Sequence, residues 1–177
     1  MAIYDNNGTS NAELGTVYDN NGTTSSQIGK VYDNNGTTDS LIYNSELILF
    51  GNGVLYGTWE AAYQGGTMTS TGWTATADNS HRGRYCTTKI DFSQYSTIEV
   101  TTSQITKVNN RTGYFKFGVA SSIGTYGPNY TKNYSYTLGT LAAGTYKLDI
   151  SSVTDTAYFA MNFDTSGTGT VYSAKLY

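Results

Sequence analysis

Residues 114–119 read YFKFGV, with Phe115, Phe117 and Val119 at alternate positions and Tyr114, Lys116 and Gly118 between them. Apolar side chains at every second position share one face of an extended chain and no single face of a helix, so this stretch predicts a strand with one buried side. GTYKLDI (144–150) alternates in the same way through Tyr146, Leu148 and Ile150. Working outward, similar short runs appear at LILF (47–50), VLYGTW (54–59), GWTATA (72–77), RYCTTKI (84–90), STIEVTT (96–102), NYSYTL (133–138), AYFAMNF (157–163) and TVYSAKLY (170–177). Clusters of Gly, Asn, Ser and Thr separate them, and the 177 residues hold a single proline. The pattern predicts an all-β protein whose main part, residues 46–177, is an antiparallel two-sheet sandwich of the jelly-roll kind. WEAAYQ (59–64) is the one stretch expected to make a short helical turn.

Composition agrees. Only 13% of the residues are charged, while 14% are aromatic, with 17 Tyr against 6 Phe and 2 Trp. That aromatic load is too great for a disordered chain and suits sheets with partly wetted faces. The mean hydropathy of −0.39 comes from Thr, Ser, Asn, Gly and Tyr rather than from charge. The formal net charge is −3 and no Lys/Arg cluster occurs, which argues against nucleic acid as a partner. No apolar stretch approaches the roughly 18 residues of a membrane helix, and Met1 is followed by neither a basic nor an apolar leader, so neither membrane insertion nor a signal peptide is expected. Cys86 stands alone and has no intramolecular disulfide partner.

The first 45 residues form a separate segment with a period of 14: IYDNNGTSNAELGT (3–16), VYDNNGTTSSQIGK (17–30) and VYDNNGTTDSLIYN (31–44). In each unit a Tyr-Asp pair precedes Asn-Gly, the favoured two-residue hairpin loop, with Gly8, Gly22 and Gly36 as the turn glycines. Each unit is expected to be a β-hairpin. One unit carries too few apolar side chains to bury a core, so several chains are expected to wind together, with Ile3, Tyr4, Val17, Tyr18, Val31 and Tyr32 as successive rungs of oligomerisation, most simply a homotrimer. A floppy polar tether is the alternative for the same residues. Five acidic residues (Asp5, Glu13, Asp19, Asp33, Asp39) against Lys30 make the segment acidic.

The DNNGT repeats with their Ile-Gly spacer, joined to a head containing GTYKLDISSVT and a closing VYSAKLY, resemble short structural proteins of tailed bacteriophages of the tail-fibre, head-fibre or capsid-decoration type. The KIDFSQYSTIEV and GTYKLDISS stretches resemble galactose-binding-like sandwiches of carbohydrate-binding modules and phage receptor-binding tips. The resemblance implies a non-enzymatic virion surface appendage: a homotrimer with repeats for trimerisation or anchoring, and a head for display and contact with host glycans and other virion proteins. The alternative is a bacterial extracellular carbohydrate-binding or self-assembling surface protein. The absence of a leader after Met1 favours the virion surface over the extracellular reading.

Catalytic and metal chemistry has little foothold. His81 is the only histidine, Cys86 lacks ligand spacing, and no nucleophile motif is present, so no enzyme activity, no metal and no cofactor is expected. Glu60, Asp78, Asp91 and Glu99 are available carboxylates, but on a sandwich such residues usually sit on solvated rims. Asp5, Asp19 and Asp33 are read as turn-capping residues in preference to calcium ligands. For sugar binding, which needs an exposed ring beside polar groups that fix orientation, two sets stand out. One is Trp59, Tyr63, Trp73, His81, Arg82 and Arg84, with Trp73 read rather as core because it sits in an alternating run. The other is Tyr126, Asn129, Tyr130, Lys132 and Tyr134, in a stretch expected to be a long loop.

Overall fold

The computed structural model of the chain describes residues 46–177 and, before them, the backbone of residues 3–6, 11–14, 18–20, 25–27, 30–34 and 39–44. The chain divides into two compact units, residues 1–46 and 47–177. In the first, β1 (Ile3–Asn6) pairs with β2 (Asn11–Leu14), β3 (Tyr18–Asn20) with β4 (Ser25–Gln27), and β5 (Lys30–Asn34) with β6 (Asp39–Asn44), always antiparallel. Each antiparallel pair thus falls within one 14-residue repeat, apart from Lys30, which precedes the third repeat. The register differs from the two-residue loop expected: the innermost pairs are Asn6↔Asn11, Asn20↔Ser25 and Asn34↔Asp39, with four residues between the partners. This register sets Ile3 opposite Leu14, whereas a loop of Asn7-Gly8 alone would have set Ile3 opposite Ala12. Gly8, Gly22, Gly36 and Val17 lie outside the described residues.

The second unit contains β7 (Leu47–Gly51), β8 (Val54–Leu55), β9 (Trp59–Ala61), β10 (Thr67–Thr69), β11 (Gly72–Asp78), β12 (Arg82–Cys86), β13 (Ile90–Asp91), β14 (Thr97–Thr102), β15 (Ile105–Thr106), β16 (Tyr114–Gly124), β17 (Gly127–Thr137), β18 (Thr140–Leu141), β19 (Gly144–Asp149), β20 (Thr156–Asp164) and β21 (Ser166–Leu176). A back sheet runs β10-β11-β21-β14-β19, with β7 and β15 also pairing with the long β21. A front sheet runs β17-β16-β20-β12-β9, with β13 beside β20. The expected helical turn at 59–64 is instead strand β9 followed by a loop, because Trp59, Glu60 and Ala61 pair with Cys86, Tyr85 and Arg84. Tertiary pairing overrides a weak local preference there. The only helical element among the described residues is a 3-10 turn at Phe92–Gln94, capped by the Asp91 carboxylate, and no helix is long and apolar enough to cross a membrane.

The core is the space between the sheets. From the back sheet it takes Trp73, Ala75, Ala77, Ile98, Val100, Val171 and Leu176; from the front sheet come Phe115, Phe117, Val119, Phe159, Met161 and Phe163. Within each strand these residues share one parity, as period two demands, except on β21, where the register shift that pairs Thr101 with Ser173 and Thr102 with Val171 brings Val171 and Leu176 to the same face from opposite parities. Trp73 stacks on Phe163 with centroids 5.0 Å apart.

Two features position the candidate site. Strands β20 and β21 belong to different sheets yet are joined by Thr165 alone, at φ +61°, which leaves Asp164 as the last residue of a front-sheet strand. The β16–β17 hairpin also departs from a flat ladder. Its register slips at Val119/Ala120 and again at Ala120/Ser122, and such bulges bend and twist a strand pair. The far end of the hairpin consequently crosses the outer face of its own sheet: the Tyr130 hydroxyl reaches Asn162 on β20, past the intervening β16, and Tyr126 lies beside Tyr63 and His81. Beneath the arm the outward positions Gly83, Gly118, Ala120 and Ala160 are small and buried. At Gly118 the fit is closest, since a Cβ there would sit 2.2 Å from the Lys132 carbonyl oxygen.

Candidate functional site

The arm and the front sheet enclose an open cavity of about 430 Å³, lined by His81, Lys116, residues 124–130, Asn162 and Asp164. Its polar floor comes from outward positions of three adjacent strands and their approaches. Asp164 is the hub. One carboxylate oxygen faces His81 Nδ1, and the other accepts from Lys116 Nζ at 3.2 Å. All three side chains keep between 21% and 29% of their surface exposed, so they remain open to a ligand. Beside them the Tyr130 hydroxyl donates to Asn162 Oδ1 at 2.8 Å. Tyr130 shows solvent only part of its ring while its hydroxyl is enclosed; burial, and then the charge of Asp164, push that hydroxyl's pKa well above the usual tyrosine value. It is a fixed neutral donor that ties the arm to the sheet.

The lip of the cavity is aromatic. Tyr126, 70% exposed, lies 6.1 Å from Tyr63 and 6.4 Å from His81 between ring centroids, and Tyr63 meets His81 edge-on at 5.9 Å. Tyr63, 43% exposed, holds φ at +117°, a conformation an L side chain adopts only under constraint. Asn129, exposed on the arm, donates its side-chain amide to Ser122 Oγ at 2.9 Å, and its main-chain carbonyl accepts from Ser121 Oγ at 3.3 Å.

The two sequence-derived sets therefore contribute to one site rather than two: Tyr63 and His81 from the first, Tyr126, Asn129 and Tyr130 from the second. The remaining candidates lie elsewhere. Trp59 packs edge-on against Phe50 and Phe159 in the core, since its strand parity turns it inward opposite Cys86. Trp73 is fully buried, as its alternation implied. Arg82 and Arg84 spend their donors on the 64–66 loop and on Ser80 and His81 main-chain and side-chain oxygens. Tyr134 stacks on Phe117 at 5.0 Å and contacts Tyr146, closing the edge of the core. The expected long loop at 126–134 is the arm strand β17 for most of its length, because residues 127–137 find partners on β16.

Lys116, Asn162 and Asp164 were not among the residues singled out from sequence. Their signal was available: each is a polar residue at the outward parity of a central strand, Lys116 within YFKFGV and Asn162 within AYFAMNF. The other carboxylates are engaged separately. Glu60 accepts from the Tyr85 hydroxyl, Asp78 from Asn109, Asp91 from Ser93, and Glu99 from Lys147 and Tyr177. Among the described residues no group of three or more His, Cys, Asp or Glu side chains is placed to hold a metal ion. Cys86 is buried, which pushes its thiol's pKa up and leaves it unreactive.

A second concavity, about 400 Å³, lies on the outer face of the back sheet, with Thr67, Thr69, Thr71, Thr74, Thr170 and Tyr172 around Gly72. Its hydroxyls are largely turned on one another, Thr74 with Thr170 at 2.9 Å and Thr69 with Thr71 at 3.0 Å.

No protein-family model matches the chain, and no curated protein matches it in sequence. Among solved structures it is similar to a family 11 carbohydrate-binding module from Clostridium thermocellum, determined in complex with a β-1,3-1,4-mixed-linked tetrasaccharide. The two share 18% identity at a TM-score of 0.43, over 74% of this chain and 94% of that one.

Proposed function

We propose that the 47–177 unit is a non-enzymatic carbohydrate-binding head that takes a neutral sugar in the front-sheet cavity. The observation that carries this reading is the placing of two exposed tyrosine rings, Tyr63 and Tyr126, at the lip of a floor built from His81, Asp164 and Lys116. A pyranose offers an apolar C–H face and a rim of hydroxyls. The rings supply the stacking surface, while the carboxylate and ammonium supply an acceptor and a donor for adjacent hydroxyls. Neutrality of the ligand follows from charge: Lys116 and Asp164 compensate one another, so an acidic sugar would find no unpaired cation in the lining. Binding without hydrolysis follows from the single carboxylate of the lining, because glycoside cleavage uses two across the scissile bond.

In the same proposal residues 1–45 are an attachment and trimerisation segment, and the whole chain is a virion surface appendage. Three hairpins of one period, each too small to bury a core, together with the phage resemblance of the DNNGT repeats, support this. The head is tested by presenting the full chain to an array of immobilised glycans. Saturable binding to neutral hexose oligosaccharides, lost in Tyr126→Ala and in Asp164→Asn, is expected; binding confined to acidic glycans, or indifferent to both substitutions, contradicts it. Mass spectrometry of purified particles tests the virion placement, which is contradicted if particles lack the chain.

A further inference from the structure

We infer that Arg84, with Arg82 and Trp73, is a positioning residue that fixes the 62–66 loop and so holds Tyr63 against His81 and Tyr126 at the lip of the front-sheet cavity. What Tyr63 then touches rests on the carbohydrate-binding reading; the clamp itself does not.

The loop leaves β9 and is pinned at every step. Ala62 N donates to Gly83 O at 3.0 Å, and Gly83 N donates back to Gln64 O at 3.1 Å. Arg82 Nη1 donates to Gln64 Oε1 and, at 2.9 Å, to Ser80 Oγ. Arg84 forks over the next two residues, with Nε donating to Gly65 O at 3.2 Å and Nη2 to Gly66 O at 2.7 Å. Gly65 O also accepts from the buried Trp73 indole at 2.6 Å, which ties the loop to the core. The packing is tight: a Cβ at Gly65 would lie 2.7 Å from the Arg84 guanidinium and displace it, and at Gly66, where φ is +68°, a Cβ 2.6 Å from the Thr74 carbonyl oxygen leaves room only for glycine.

Both arginines therefore meet neutral acceptors, so their work here is geometric. A planar fork holds two successive carbonyls in one orientation, which a lysine's single ammonium cannot reproduce. The strain of Tyr63 at φ +117° needs such an enclosure, since a non-glycine residue rests there only when its surroundings over-determine it. Its ring ends against His81 and Tyr126, both in the cavity lining. Arg84 acts on the site through Tyr63 rather than by touching it.

The test has two arms on the full chain. Hydrogen exchange of the peptide spanning residues 62–66, measured without sugar, should accelerate about tenfold in Arg84→Met and also in Arg84→Lys, while the rest of the front sheet keeps its protection. Calorimetric titration uses neutral tetrasaccharides of glucose, galactose and mannose. For whichever binds the unaltered chain most tightly, Arg84→Met should weaken binding about tenfold and have about no effect once Tyr63 is alanine. Unchanged exchange in both variants, loss of protection spread over the whole front sheet, or equal weakening in the two backgrounds overturns the inference. If no tetrasaccharide binds the unaltered chain, the carbohydrate reading falls and the exchange arm alone decides the clamp.

Discussion

Tyr126 exposes 70% of its surface and makes no hydrogen bond that folding would lose, so Tyr126→Ala is predicted to leave the thermal midpoint unchanged while removing sugar binding. Calorimetry and an array read the two effects separately. Tyr130 behaves oppositely. Tyr130→Phe deletes an enclosed donor and leaves Asn162 Oδ1 without it, which should cost about 1–2 kcal/mol in urea unfolding. A further residue, Glu99, sits between Lys147 and Lys175 on the back sheet. Desolvation alone would raise its pKa, but hydrogen bonds from Lys147 and Tyr177 and the charge of Lys175 outweigh it and hold the carboxyl below the ordinary glutamate value. A depressed folded-state pKa contributes stability that is present above the unfolded value and is lost as the pH falls through the folded one. Unfolding at pH 7 and at pH 3 should therefore show a larger acid loss in the unaltered chain than in Glu99→Gln. At this scale the sequence was readable for parity and blind to contact. Phe115, Phe117 and Trp73 could be placed inside from alternation alone, whereas the meeting of His81 with Asp164, eighty-three positions later, depends on β12 and β20 being neighbours.

At the scale of elements, the arm decides the site. YFKFGV announced a strand, and its outward Lys116 and Gly118 were visible, but nothing local to 119–131 announced the two register slips that fold β17 over the sheet. The polar, tyrosine-rich GTYGPNYTKNY stretch looked like a loop because, up to Tyr134 at the edge of the core, its side chains meet solvent and the outer face of the sheet. Substituting Gly118 tests the arm directly. Gly118→Ala places a methyl 2.2 Å from Lys132 O, which the β16–β17 ladder can avoid only by moving its backbone. The expected result is a folded sandwich whose residues 124–130 lose exchange protection and whose sugar binding disappears; an unaltered arm in that variant would show that the close approach does not govern its path. The repeats show the same division between legible and hidden. Their antiparallel pairing was expected from the sequence, while the register that sets Ile3 opposite Leu14, with four residues between the innermost pair, was not.

For the whole molecule, the chain divides into two units, residues 1–46 and 47–177, to which the proposal gives separate roles. Removing residues 1–46 should leave a β-rich unit that unfolds in one cooperative step, because among the described residues its buried core lies within 47–177. Light scattering should find the full chain at about three times the 19.2 kDa of one copy and the shortened one at a single copy; a monomeric full chain would return the repeats to the role of a tether. The place where a sugar binds is decisive for the proposed function. The decisive measurement is amide chemical-shift mapping of the full chain as neutral hexose tetrasaccharides are added. Shifts are predicted to concentrate at Tyr63, His81, Lys116, residues 124–130, Asn162 and Asp164. Shifts concentrated instead around Thr74, Thr170 and Tyr172 on the back sheet, or confined to the repeats, would contradict the account.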